Sequence, residues 1–178
     1  VVREHLRAGV GIMNADFKSP EAITSEKLAD IHRLWKQLAG TQFAPKRADI
    51  SPAKLRALLP WTWIVEVVDG GEDFRFRIAG ERVVEYLGGR HAGRLLSDLR
   101  GPKFFELMHN LFSYAVINRR PVLHGPLQSS LANREHFEAE VLILPLSDNG
   151  VNVTALCGGF EAWPYGTHFP RLNARSGA

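Results

Sequence analysis

The clearest pattern in the chain runs from Phe74 to Gly93, FRFRIAGERVVEYLGGRHAG. Phe74, Phe76 and Ile78 alternate with Arg75 and Arg77, the period-2 signature of a strand with one apolar and one wet face. At Ala79-Gly80 the period changes. Val83, Val84 and Leu87 recur at helical spacing, and Gly88-Gly89 stops the turn with residues that tolerate positive φ. A strand is therefore predicted to run into a short helix and then, through a glycine hinge, to a second apolar pair, Leu95-Leu96.

Residues 1–24 show no sustained periodicity and read as a flexible arm. Thr24 or Ser25 then caps an amphipathic helix over 25–39, with Leu28, Ile31, Leu34, Trp35 and Leu38 on one stripe and Gly40 as its stop. That stripe needs cover, either from the sheet or from a second subunit. Leu28, Ile31, Trp35 and Leu38 are accordingly the candidate dimer or partner surface, with Trp35 as anchor. A proline-punctuated connector follows, in which Ser51 caps a turn opened by Pro52 and closed by Pro60.

Trp61 to Val68 is predicted as the first strand, Asp69-Gly70-Gly71 as a hairpin turn and Phe74 to Ala79 as the second strand. Pro102 to Asn118 is the longest helix, with Phe104, Leu107, Met108, Leu111, Phe112 and Ala115 on a broad apolar face. Pro121 to Leu127 is a third strand whose prolines suit a sheet edge. His136 to Leu146 and Val151 to Ala162 are the fourth and fifth strands, joined through Asp148-Asn149-Gly150. Gly158-Gly159 marks a bulge or a close approach in the last strand. Residues 163–178 read as an irregular tail. The order gives an α+β domain: a five-stranded antiparallel sheet with the central helices on one face, preceded by the amphipathic helix.

Composition narrows the class. With 178 residues, 45% hydrophobic and 23% charged, the chain has enough apolar content for one self-supporting domain. The single cysteine, Cys157, excludes an intrachain disulfide, and no clustered Cys/His spacing points to zinc. No apolar run approaches the ~20 residues of a membrane span, and a cytoplasmic setting is expected. A net charge of +3 leans basic. The cations are nevertheless scattered among acids, so a nucleic-acid surface built on Arg75, Arg77, Arg94 and Arg100 is the weaker reading.

Several motifs together resemble a PAS domain, in particular the short bacterial proteins that consist of little else. They are Trp35 on its helix, the lead-in Pro45-Lys46-Arg47-Ala48-Asp49-Ile50-Ser51-Pro52, and Leu58-Leu59-Pro60 before the first strand. Phe74 to Gly80 and the hinge Gly89-Arg90-His91-Ala92-Gly93 complete the set, so the resemblance covers about residues 28–162. It implies a non-enzymatic sensory or regulatory module, a homodimer that acts on a signalling protein in trans because these residues hold no kinase, cyclase or DNA-binding segment. Filling its pocket would shift the packing of the N-terminal helix or the sheet face.

The implied pocket gathers Phe76, Ile78, Val84, Tyr86, Leu87, Leu95, Phe105, Met108, His109, Phe112, Val141 and Ile143. It suits a small apolar or amphipathic ligand, the competing reading being a core that these large side chains fill themselves. Covalent flavin is disfavoured because the hinge lacks the cysteine of light-sensing relatives, and Cys157 reads as a small buried residue. Haem through His109 is disfavoured because that residue falls at the boundary of the long helix's apolar face. An alternative is a small α+β enzyme with a cone-shaped cavity and a His-carboxylate pair. It needs His124 or His109 to point inward with a carboxylate behind it, and His124 and His136 could approach Glu138 or Glu140. Against it, those acids alternate onto the strand's wet face, where Glu66, Arg75, Arg77, Glu138 and Glu140 are expected to form a cross-strand charge ladder.

Overall fold

The computed structural model describes residues 17–99, 101–129 and 134–167. Two apolar clusters divide it, one on each face of the sheet. Helix α1 (Glu26–Ala39) begins where the Ser25 hydroxyl accepts from the Leu28 amide at 3.0 Å, and it stops at Gly40 with φ 57°. Serine offers the acceptor that a first helical turn needs, and glycine tolerates the backbone that ends it. A one-turn helix α2 (Pro52–Leu55), capped by Ser51, continues through a 3₁₀ segment to Trp61.

The five strands are β1 (Thr62–Val68), β2 (Asp73–Ala79), β3 (Val122–Gln128), β4 (Phe137–Leu146) and β5 (Ala155–Pro164). They pair antiparallel in the order β2-β1-β5-β4-β3. The connection from β2 to β3 carries α3 (Glu81–Leu87) and α4 (Pro102–Asn118). Gly88, in the left-handed region at φ 76° and ψ 51°, ends α3. Both helices cover one face, where Trp63, Phe74, Phe76, Phe112 and Phe160 form the aromatic core. β3 is an edge strand, as its prolines predict, and its register slips between His124 and Leu127, around Pro126.

The reverse face belongs to α1. Leu28, Ile31 and Trp35 are buried there against Ile64, Leu142, Leu144 and Cys157. The Trp35 indole N–H donates to the Pro145 carbonyl at 2.8 Å. The stripe expected as a dimer or partner surface is thus covered by the chain's own sheet, with Leu38 half-buried at its end.

Neither sheet edge is bare. Phe76 exchanges backbone bonds with Gly93 and Arg94 beside β2, and Lys18 exchanges them with Leu123 beside β3. Unpaired strand edges recruit other chains, and one backbone bridge beside each edge strand shields part of that edge. This cover also corrects the expectation of a flexible arm for residues 17–24. Lys18 is pinned to β3, Pro20–Ala22 forms a capped 3₁₀ turn, and Thr24 is bonded to β4. The rest of that arm and the tail beyond residue 167 lie outside the described residues.

Candidate functional site

Between the sheet and the central helices lies a cavity of about 90 Å³. Trp63, Phe76, Ala139, Val141 and Phe160 form its floor, because alternate positions of β1, β2, β4 and β5 point the same way. Val83, Tyr86 and Leu87 of α3, with Phe104, Leu107, Met108 and Phe112 of α4, form its walls. The end of β3 supplies the polar rim: His124, Gln128 and Ser129, beside Leu127, which is 41% exposed. The cavity meets solvent at that strand end.

Tyr86 is the central polar handle. Its hydroxyl bonds to the Ser129 hydroxyl, and burial pushes the phenol above its ordinary pKa, against smaller opposing effects of Ser129 and Arg134. The group is therefore a neutral donor-acceptor at physiological pH. Arg134 reaches across to donate to the Tyr86 and Glu85 carbonyls, at 3.3 and 3.2 Å, and so satisfies the last turn of α3. Tyr86 also packs against Phe160, ring centroids 4.4 Å apart.

Of the expected pocket residues, Phe76, Tyr86, Leu87, Met108, Phe112 and Val141 line the cavity. Ile78 does not. β1 and β2 slip register between Ile64 and Val65, so Arg77 is an extra residue and Ile78 turns to the α1 face opposite Ile64. Val84 and Leu95 each yield to a neighbour. Val83 points into the cavity and Leu96 into the core, while Leu95 forms a bridge with Arg75. Phe105 packs on the His109 ring at 5.2 Å, outside the cavity. His109 lies with its Nε2 3.1 Å from the Glu72 carbonyl and its ring against Phe74, also outside. Ile143 is fully buried in the core below.

Trp63, Val83, Phe104, Leu107, His124, Leu127, Gln128, Ser129, Ala139 and Phe160 complete the lining. Period-2 continuation from Val65 and Leu156 reaches Trp63 and Phe160, a signal legible in the sequence. The β3 residues depend on the register slip after His124, which is not.

The expected charge ladder holds only at Glu66 and Arg77, 2.7 Å apart. Glu140 is not on a wet face. It is fully buried and accepts from the Thr24 and Ser25 amides, at 3.0 Å each, and from the Thr24 hydroxyl. Among the described residues no carboxylate lines the cavity beside His124, since Glu138 and Glu140 point to the opposite face. The acid-base pair that the enzyme alternative needs is thus not among the described lining residues. Arg75 and Arg94 donate to the Gly93 and Asp98 carbonyls, and Arg77 is held by Glu66. These three do not form a free phosphate-binding stripe; Arg100 lies outside the described residues.

Comparison with known proteins adds a family. A family model described as "PAS domain" matches residues 23–160. No curated protein matches the chain. Among solved structures it is similar to the PAS domain of histidine kinase ThkA, at 15% identity and a TM-score of 0.42, covering 57% of this chain and 98% of that one.

Proposed function

Because the chain belongs to the PAS domain family, we propose that this sensory and regulatory module takes a small, largely apolar ligand into its central cavity and reports occupancy through α1. The observation that carries the reading is the cavity itself: aromatic walls, no charged lining group among the described residues, and the Tyr86–Ser129 hydroxyl pair as its polar handle. Its volume of about 90 Å³ limits the ligand. An apolar cavity of about 150 Å³ accommodates benzene, and drug-sized ligands need roughly 300–1,000 Å³. At about 90 Å³ the cavity is smaller than either, so as it stands it takes a molecule of only a few heavy atoms bearing one hydroxyl or carbonyl. A single ring enters only if the walls give way, and haem and flavin are far too large.

The strand order supports the reporting route. Ala139 and Val141 line the cavity, while Glu140 between them holds the head of α1 on the reverse face. Movement of β4 on ligand entry would therefore act directly on the helix start, shifting the balance between two packings. The exposed side of α1, with Glu26, Arg33, Lys36 and Gln37, is the surface we assign to a signalling partner in trans. If the protein pairs as a homodimer, it does so without the buried Leu28, Ile31 and Trp35. Among the described residues, no helix is long and apolar enough to cross a membrane.

The test is a titration with isopropanol and phenol, followed through the methyl resonances of Val83, Leu87 and Val141, alongside native mass spectrometry for subunit number and co-purifying ligand. Saturable shifts that vanish in Val83→Trp support the reading. Unmoved methyls at millimolar probe in a folded protein sink it.

A further inference from the structure

A second concavity, about 400 Å³, lies at the β3 edge and shares no lining residue with the central cavity. It is built where the segment around Phe17 to Glu21, α1, the C-terminal half of α4 and the start of β3 meet. Its aromatic surface is fixed by packing. Phe17 stacks on Tyr114 with ring centroids 4.1 Å apart and an interplanar angle of 20°. Trp35 is nearly buried and its indole N–H is committed to Pro145, so it offers this groove only ring surface.

Among the described lining residues, Lys18, Lys36 and Arg120 outnumber a single acid, Glu21, whose carboxylate already accepts from the Ser19 hydroxyl. The Lys18 ammonium donates to the Gly125 carbonyl at 3.3 Å, which leaves Lys36 and Arg120 as the principal cations of the groove. The Arg120 guanidinium sits 5.3 Å from the Tyr114 ring centroid and donates to its hydroxyl, which holds a cation beside the aromatic wall. His32 stacks on Trp35 at 6.2 Å. Burial, and secondarily Lys36, lowers its pKa despite Glu21, leaving a neutral imidazole.

We propose that this groove binds a small organic anion carrying a flat ring, of the aromatic carboxylate or aryl phosphate class. The volume falls in the range of small-molecule sites. Planar guanidinium and ammonium groups pair with a carboxylate or phosphate, and the half-buried Phe17 and Tyr114 rings, with Trp35 behind them, give a flat ring apolar contact. A neutral ring would use only half of this arrangement. The site is independent of the central cavity and of whatever ligand that cavity takes.

The experiment titrates the full chain with 2-naphthoate, phenyl phosphate and the neutral 2-naphthalenemethanol, using calorimetry and amide resonances. Binding of an anion at millimolar or better, with shifts at Lys18, His32 and Lys36, is expected. Comparing the two anions tells which source the groove prefers. Arg120→Gln and Lys36→Gln should each weaken binding at least about five-fold. Lys103→Gln, an exposed cation at the start of α4 and outside the groove, should not. Saturating phenol, the probe of the central cavity, should also leave it unchanged, which separates this site from the central one. The proposal is overturned if the neutral probe binds as tightly, if Lys103→Gln weakens binding as much as Arg120→Gln, if phenol displaces the anion, or if neither anion binds.

Discussion

Glu140 and Glu161 stand directly opposite one another across β4 and β5, and both carboxylates hold the head of α1. Glu140 takes the Thr24 and Ser25 amides; Glu161 takes the Ser25 hydroxyl, the same group that caps the helix. Like charges opposite each other on a sheet are unfavourable, so the shared donors explain how the pair is tolerated. Removing the buried member leaves two amides without acceptors. Glu140→Ala should cost about 2–4 kcal/mol and lower Tm by roughly 5–15 °C. Glu140→Gln, which keeps one acceptor oxygen, should cost less. Urea and thermal unfolding measure both, and a loss under about 0.5 kcal/mol for the alanine variant would contradict this account.

Adjacent glycines in β5 should behave differently. A Cβ on Gly158 would meet the Leu142 carbonyl oxygen at 1.8 Å and the Trp63 ring at 2.6 Å, neither of which is free to move. A Cβ on Gly159 would meet the side-chain ends of Leu28 and Ile31, at 2.3 and 2.8 Å, and these belong to α1. Gly159→Ala should therefore displace the helix at an overpacking cost of about 1–3 kcal/mol, whereas Gly158→Ala should distort the sheet and cost more. Denaturant midpoints rank the two, and the reverse order would refute the distinction.

The pair also shows what the sequence conveyed. Gly158-Gly159 signalled a close approach, and the approach is real, but the partners come from β1, β4 and α1. The caps and stripe of α1 were legible, while the surface that covers it was less so. Its signal is the unbroken apolar run from Val141 to Leu146. A strand apolar at every position is buried on both faces, and α1 supplies the second cover. The Phe74, Phe76, Ile78 alternation misled at Ile78 because the added Arg77 arises from pairing with β1, not from any turn residue in the segment itself. In Val83-Val84 and Leu95-Leu96, two equal apolar neighbours leave the phase undetermined, and only tertiary packing selects Val83 and Leu96.

His32 should impose a pH dependence on stability. Its folded pKa is lowered by burial and then by Lys36, with Glu21 opposing. The unfolded chain therefore takes up a proton more readily as pH falls below about 6.5. The contribution is fully present above that value and is lost as pH drops through the lower folded pKa. His32→Gln should flatten the fall in denaturant midpoint between about pH 7.5 and 5 relative to the parent chain. Superimposable profiles would show that His32 does not titrate differently on folding.

Cys157 offers a readout of the α1 face. It is 2% exposed, packs in the cluster beneath α1, and burial pushes its thiol up to about 12. The thiolate is the reactive form, so both access and ionisation protect this residue in the folded protein. Modification by a disulfide reagent near pH 8 should be slow in the native chain and rapid in urea. Labelling requires α1 to leave the sheet or the sheet to open, so its rate reports the population of those openings. Glu140→Ala, which loosens the helix start, should accelerate labelling by a larger factor than its global destabilisation predicts. Equal factors would mean that α1 does not detach on its own and that the thiol is reached only by unfolding of the whole domain.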